Sequence, residues 1–329
     1  MSLLIRGSAL AVLAAAIQLG AGVAVAQTEV KLGYALSPTS HYGVAANKWQ
    51  EVVEAETNGK FAFTHFPSSG LGGEREVIEG LQIGTIEATI VSSGTLSNFV
   101  PETGVFDIPF MFRDLGHARR VLDGPIGTDI LAKFDDVGLH ALGWGEQGFR
   151  HITNNRNAIH TPADIAGMKL RTMENPVHIE AFTVLGAAPT PMAWPEVVSS
   201  LQQGVIDGQE NPLSVIVSVK LDEVQKYLTL SGHVYSPAML LVSKPFWEGL
   251  SDEDKAAFEK GAAEAVIAMR AYVDDVEASG VETLRTRGME INQLTPDEKA
   301  EFLKAVAPAY ESYYKTYDKA LIDGIIATE

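Results

Sequence analysis

The feature that most constrains this chain is a stretch that occurs twice. Leu81-Gln82-Ile83-Gly84-Thr85-Ile86-Glu87-Ala88 returns 120 residues later as Leu201-Gln202-Gln203-Gly204-Val205-Ile206-Asp207-Gly208. Each copy reads as a helix end, a turning glycine and the start of a strand. The same offset sets Glu74 opposite Trp194, each just before its helix, and Val91 opposite Asn211, each just past its strand. A chain that builds this unit twice is expected to form two similar lobes. Both would present strand ends and helix N-termini to one shared cleft.

The rest of the pattern is α/β. Val30 to Leu36 reads as a strand, and Ser40 can cap a helix carrying Val44, Ala45, Trp49, Val52 and Val53 that stops at Asn58-Gly59. Lys60 to Phe66 alternates as a second strand, so the chain opens with a βαβ unit and predicts a parallel sheet with right-handed crossovers. A helix to Gln82 and a strand from Ile86 to Val91 follow. Gly104 to Met111 reads as core loop or short strand. Helices are expected around Asp114–Leu122 and Gly127–Phe134. Strands are expected at Leu139–Trp144 and, separately, at Phe149–Thr153 as the chain leaves the first lobe. Tyr227–Tyr235 reads as a return strand and Ala238–Ser243 as another, back in lobe one. From Ser251 an amphipathic pattern runs to Arg287, which as one helix would be roughly 50 Å long. The region from Pro296 to Ile326 reads as helical with a break at Pro308, its tyrosines Tyr310, Tyr313, Tyr314 and Tyr317 mostly covering lobe two rather than forming a site.

Composition bounds the compartment and the partners. Residues 1–26 carry Arg6, an apolar run from Ala9 to Leu19 and the small-residue sequence Ala24-Val25-Ala26. They read as a secretory signal peptide removed before Gln27. The formal charge of −17 becomes about −18 once Arg6 is lost, which disfavours nucleic acid and anionic membranes as partners. With no cysteine, a cysteine-linked lipid anchor, a disulfide framework and a thiol nucleophile are all excluded. The histidines show no metal-ligand spacing, and no GxSxG, Walker A or dinucleotide glycine fingerprint occurs. Gly70-Leu71-Gly72-Gly73 is not followed by Lys-Ser/Thr and reads as a turn. A soluble, monomeric periplasmic protein without metal or cofactor is expected.

The chemistry concentrates between Gly167 and Leu213. Arg171 ends a short strand, Trp194 follows a proline-stiffened turn, and Asn211 follows the repeated strand in Gln209-Glu210-Asn211-Pro212. An arginine, an aromatic and an amide at the ends of successive βα elements stand where α/β proteins bind small ligands. Arginine's planar fork suits a carboxylate. On the residues alone, Arg171 could instead pair with Glu174 or Glu180 at the surface.

The segments LRTMEN (170–175), GAAPTPMAWPEV (186–197) and LQQGVIDGQENPL (201–213) closely resemble the substrate-binding subunits of TRAP transporters, the DctP-type extracytoplasmic solute receptors. The resemblance covers essentially the whole chain after residue 26. It implies a two-lobed periplasmic-binding-protein-like fold with a ligand cleft between the lobes and a long helix spanning both. Lobe I would comprise 27–149 plus 237–278, and lobe II 150–236 plus 279–329. It implies that Arg171 clamps the ligand's acid group, that Arg150 approaches the same group or a neighbouring hydroxyl, and that Asn211 hydrogen-bonds the ligand. Trp194 stands where the family commonly has phenylalanine. His41, Glu74 and Ser92 fall at positions that contact the distal end of the ligand in related receptors, or serve as plain helix caps. Met173 and Glu174 follow the clamp and could line the pocket. Glu174 replaces an asparagine of sialic-acid receptors, which argues against that substrate. The function implied is capture of a small organic acid, a hydroxylated sugar acid being preferred to a dicarboxylic, aromatic or sulfonic acid, for delivery to a TRAP membrane permease. The rivals are a ligand sensor for a signalling receptor, and a hydrolase or lyase using Glu74 and His41.

Overall fold

The computed structural model describes residues 27–329, so the expected signal peptide lies outside the described residues. Nine strands form one sheet: β1 (Thr28–Tyr34), β2 (Phe61–Phe66), β3 (Ala88–Ser92), β4 (Leu139–Asn154), β5 (Lys169–Thr172), β6 (Ala188–Pro191), β7 (Gly208–Pro212), β8 (Tyr227–Ser243) and β9 (Glu290–Gln293). The order is β2-β1-β3-β8-β4-β7-β5-β6, with β9 on β8. The two ends have the same plan. β1 lies between and parallel to β2 and β3, and β5 lies likewise between β6 and β7. The third strand of each unit then joins a long strand antiparallel, β3 to β8 and β7 to β4.

The sequence repeat is a structural repeat in detail. Its helices run Glu74–Gln82 and Trp194–Gln202, and its strands are β3 and β7, each pair 120 residues apart. Gly84 and Gly204 take φ of 73° and 69°, the left-handed conformation that a Cβ disfavours. Around them the turn bonds match: Gly84 N–H donates to Leu81 O and Thr85 N–H to Gly80 O, as Gly204 does to Leu201 and Val205 to Ser200. This is the Schellman pattern, which satisfies the last helical carbonyls. Glu74 and Trp194 are the first residues inside their helices, whereas Val91 and Asn211 lie inside their strands rather than beyond them.

Where the sequence predicts two strands before and two after the second unit, the structure has one long strand each time. β4 and β8 pair along their length and carry the chain between the halves, with register shifts at Ala141/Gly143, Glu146/Gly148 and Arg150/Ile152. The first two each add a residue to β4, and Gly148 takes φ 107° at the second. Such bulges bend a strand without ending it, so glycines that read as punctuation are bends.

The helix from Asp252 to Thr286 runs unbroken, its start closed by a capping box between Ser251 and Asp254. Two glycines let it pack on both halves. A Cβ on Gly261 would lie 2.7 Å from Trp49 Cδ1 in the helix His41–Glu56, and one on Gly280 would lie 3.3 Å from Val217. In the first half, alternate residues of β8 feed cores on opposite faces of the sheet. Ala238, Leu240 and Val242 join Trp49 and Phe258, while Tyr235, Met239 and Leu241 join Phe106 and Trp144.

The C-terminal helix does not break at Pro308. It runs Pro296–Thr316, and the chain turns at Tyr317 before a last helix, Lys319–Ala327. Buried Val306, Ala309 and Tyr313 flank the proline, and Tyr313 Oη donates to Val177 O at 2.9 Å. That anchoring outweighs a cost of about 3 kcal/mol for an interior proline. Tyr313 also joins the Phe106 core, so these tyrosines do not cover the second half alone. The last helix returns to the first half: Arg113 donates to Ile326 O, His117 Nε2 lies 2.9 Å from Ile325 O, and Ile322 and Ile325 enter the same core.

Candidate functional site

A cleft lies between the two halves, open to solvent on one side. The repeat supplies its walls twice over. The helix beginning at Glu74 and the end of β3 at Ser92 line one side, and the helix beginning at Trp194 and Asn211 of β7 line the other. The two helix starts come together here, since a Cβ on Gly73 would lie 3.6 Å from that of Ala193. β5 adds Arg171, with Met173 and Glu174 just beyond it. Seven of the nine expected residues therefore line one cleft.

Arg171 is buried, with 3 % of its surface exposed. Its Nε and Nη2 both donate to Met192 O, at 3.0 and 2.7 Å, and its guanidinium sits over the Trp194 ring, 5.7 Å from the centroid. The alternative partners are not engaged: among the described residues no carboxylate forms an ion pair with Arg171. Burial pulls its pKa down to about 10, Arg150 adding to the effect, while Glu210 and Glu74 oppose it. It remains a cation at neutral pH, and a buried cation without a directly paired carboxylate is costly unless an anion joins it.

Arg150 and His41 do not line the cleft. Arg150 is fully buried. Its Nε and Nη2 grip both carboxylate oxygens of Glu210, Nη2–Oε1 being 2.7 Å, and Nη1 reaches Ser236 Oγ at 3.2 Å. Burial disfavours both charges, but each partner outweighs it for the other: Arg150 is held above its ordinary pKa and Glu210 well below the carboxylate range. His233 and His178 continue this buried network, with His233 Nε2 3.2 Å from Glu210 Oε2 and His178 Nε2 3.2 Å from Asp107 Oδ1. His41 is packed against Tyr42, and burial lowers its pKa to about 3, so it is neutral.

Glu74 lines the cleft while bracing it. Its Oε1 accepts from Ser92 N–H at 2.9 Å and its Oε2 from Thr95 Oγ1 at 2.6 Å. Burial raises its pKa, partly countered by those bonds and by Arg171. Ser92 Oγ accepts from Gln147 Nε2 at 2.8 Å, and Asn211 Nδ2 donates to Gln209 Oε1. Met173 crosses between the halves to meet Ser92 and Gly94, and Glu174 is exposed at the rim. Sequence reasoning missed Tyr42, Arg75 and Gln147, which also line the cleft. Tyr42 directly follows His41 and reads as an ordinary core position. Gln147 lies between glycines in a strand that only the bulges aim inward.

The family model for bacterial extracellular solute-binding proteins, family 7, matches residues 32–316. The chain belongs to that family. A solute-binding protein of Verminephrobacter eiseniae is 47 % identical over 302 residues, covering 92 % of this chain and 90 % of its own. Among solved structures, a TRAP periplasmic solute binding protein from Bordetella bronchispeptica, with density assigned as pantoate, is 58 % identical with a TM-score of 0.90, covering 92 % of this chain and 100 % of that one. One from Polaromonas, bound to D-erythronate, is 48 % identical with a TM-score of 0.90, covering 92 % and 99 %. This family 7 protein has the two-lobed fold of those neighbours, with the cleft between the lobes and the long helix touching both. Among its described residues no helix is long and apolar enough to cross a membrane.

Proposed function

We propose that this protein captures a small organic acid in the periplasm and hands it to a TRAP membrane permease, acting as a monomer and catalysing no reaction. The observation that carries this is Arg171, a buried cation that forms no ion pair among the described residues, set in a cleft that both halves line. An acid group on that guanidinium would complete the site. Arg150, already neutralised by Glu210, would act as a brace behind the wall rather than as a second clamp. The neighbours' ligands, pantoate and D-erythronate, each carry one carboxylate and hydroxyl groups, which favours a hydroxy acid here too.

The lobes would be 27–149 plus 237–278, and 150–236 plus 279–318, with the last helix belonging to the first lobe through Arg113 and His117. Ligand bridging both lobes would hold the closed form, because only differential affinity shifts such an equilibrium. A hydrolase built on Glu74 and His41 is disfavoured, since Glu74 already accepts two hydrogen bonds and His41 does not line the cleft. The test is a thermal-shift screen against organic acids, on wild type and Arg171→Ala. A ligand at a hundred times its Kd stabilises by about 2.7 kcal/mol. One acid class that shifts wild type and not the variant is expected; shifts indifferent to Arg171 would move the anion site elsewhere.

A further inference from the structure

We propose that the cleft selects acids carrying a single carboxylate and at least one hydroxyl, and rejects dicarboxylates, with Glu74 setting that choice. The inference rests on the reading of the cleft as an organic-acid site. It starts from a count of available charges. Two arginines in the sequence would suit two acid groups, but Arg150 is consumed by Glu210 and lies outside the lining. Arg171 is the one buried cation in the wall among the described residues. The other lining cation, Arg75, stands half-exposed and is paired with Glu79 at 3.1 Å.

The first-half wall offers different chemistry. Glu74 presents a carboxylate held in place by Ser92 N–H and Thr95 Oγ1, and each of its oxygens has a further lone pair. Tyr42 lines the same cleft with only 1 % of its surface exposed, and its hydroxyl has no hydrogen-bond partner among the described residues. Gln147 Nε2, the donor nearby, is already shared between Ser92 and Ser236. An acceptor carboxylate beside an unsatisfied phenol fits a ligand hydroxyl, which can donate to Glu74 and accept from Tyr42. A ligand carboxylate there could only accept, and would stand against Glu74 with no free cation to offset it.

Matched ligands separate these cases. D-Erythronate and meso-tartrate, or galactonate and galactarate, differ only in a terminal CH2OH against a carboxylate. Isothermal titration of wild type is expected to show the monocarboxylate of a binding pair at least about a hundredfold tighter, the scale of a like-charge contact in a partly dry site. Glu74→Gln keeps an acceptor for Ser92 N–H and turns an amide N–H toward Thr95 Oγ1, whose hydroxyl can accept, while removing the charge. It is expected to narrow that ratio at least tenfold, by gain for the dicarboxylate. Tyr42→Phe, which removes the donor to the ligand hydroxyl, is expected to weaken the monocarboxylate. Dicarboxylates that bind wild type as tightly as their partners, or a ratio unmoved by Glu74→Gln, would overturn the proposal while leaving the organic-acid site standing. If no acid binds wild type, both readings fall together.

Discussion

Arg171 and Arg150 show how little a residue type says until its partner is known. Each ends up buried beside the cleft wall, but Glu210, sixty positions from Arg150 in the chain, neutralises only one of them. Removal should therefore differ in its effect on the two. Arg150→Ala strands a buried carboxylate and is expected to cost about 3–5 kcal/mol, seen as a lower melting temperature with or without ligand. Arg171→Ala breaks no ion pair among the described residues, so the ligand-free protein is expected to melt much closer to wild type than the Arg150→Ala variant does. The variant loses two charge-assisted hydrogen bonds to the acid, each worth about 1.5–3 kcal/mol, and with them at least about a hundredfold in affinity. A marked drop in ligand-free stability for Arg171→Ala would mean that it is a structural residue. Arg171 was legible because it stands in the first of three linked motifs. The commitment of Arg150 was not, because its partner is brought up only by the pairing of β4 with β7.

Among the elements, the repeated helix–glycine–strand unit was legible in its order and its turning glycines, since local turn chemistry at Gly84 and Gly204 dictates them, but its boundaries were not, Glu74 and Trp194 falling inside their helices and Val91 and Asn211 inside their strands. The two long strands were not. Their continuity depends on pairing with each other across the sheet, while Gly145 and Gly148 taken locally read as stops. The long helix was legible from its cap and period, but its close approach to neighbours was not. Because a Cβ on Gly261 would already meet Trp49 at 2.7 Å and Val53 at 2.9 Å, Gly261→Leu should force the helix away from His41–Glu56. Overpacking of that kind costs about 1–3 kcal/mol. Urea denaturation is expected to show it as a lower midpoint, and an unchanged midpoint would show that the helix pair has slack. Ser251→Ala, which opens the capping box, is expected to cost only about 1 kcal/mol.

The whole molecule carries an acidic burden that makes its stability depend on pH. Glu277 lies on the long helix where it passes β4, 3.0 Å from a Cβ placed on Gly148, and its Oε1 has no partner among the described residues. Burial, with Glu146 and Asp274 nearby, pushes its pKa up to about 7. A carboxyl raised in the folded state contributes stability fully present below its unfolded pKa and lost as pH rises through 7, at most about 3 kcal/mol. Glu210, depressed by Arg150, works the other way: its contribution is present above the ordinary carboxylate pKa and lost as pH falls through the folded value. Melting temperature is thus expected to fall between pH 5 and pH 8, and Glu277→Gln to flatten that fall and raise the value at pH 8. An unaltered pH profile in that variant would assign the dependence to other groups. The sequence by itself determined the α/β class, the duplicated unit, the long capped helix and an arginine that lines the cleft, because each is written in contiguous residues through periodicity, turn chemistry or motif. Only the tertiary structure decided that β4 and β8 are continuous, that the last helix returns to the first half, and that Arg150 is ion-paired while Arg171, among the described residues, is not. Those outcomes depend on which distant groups share a buried space, and in that space the cost of an unpaired charge or an unpaired strand decides what each residue does.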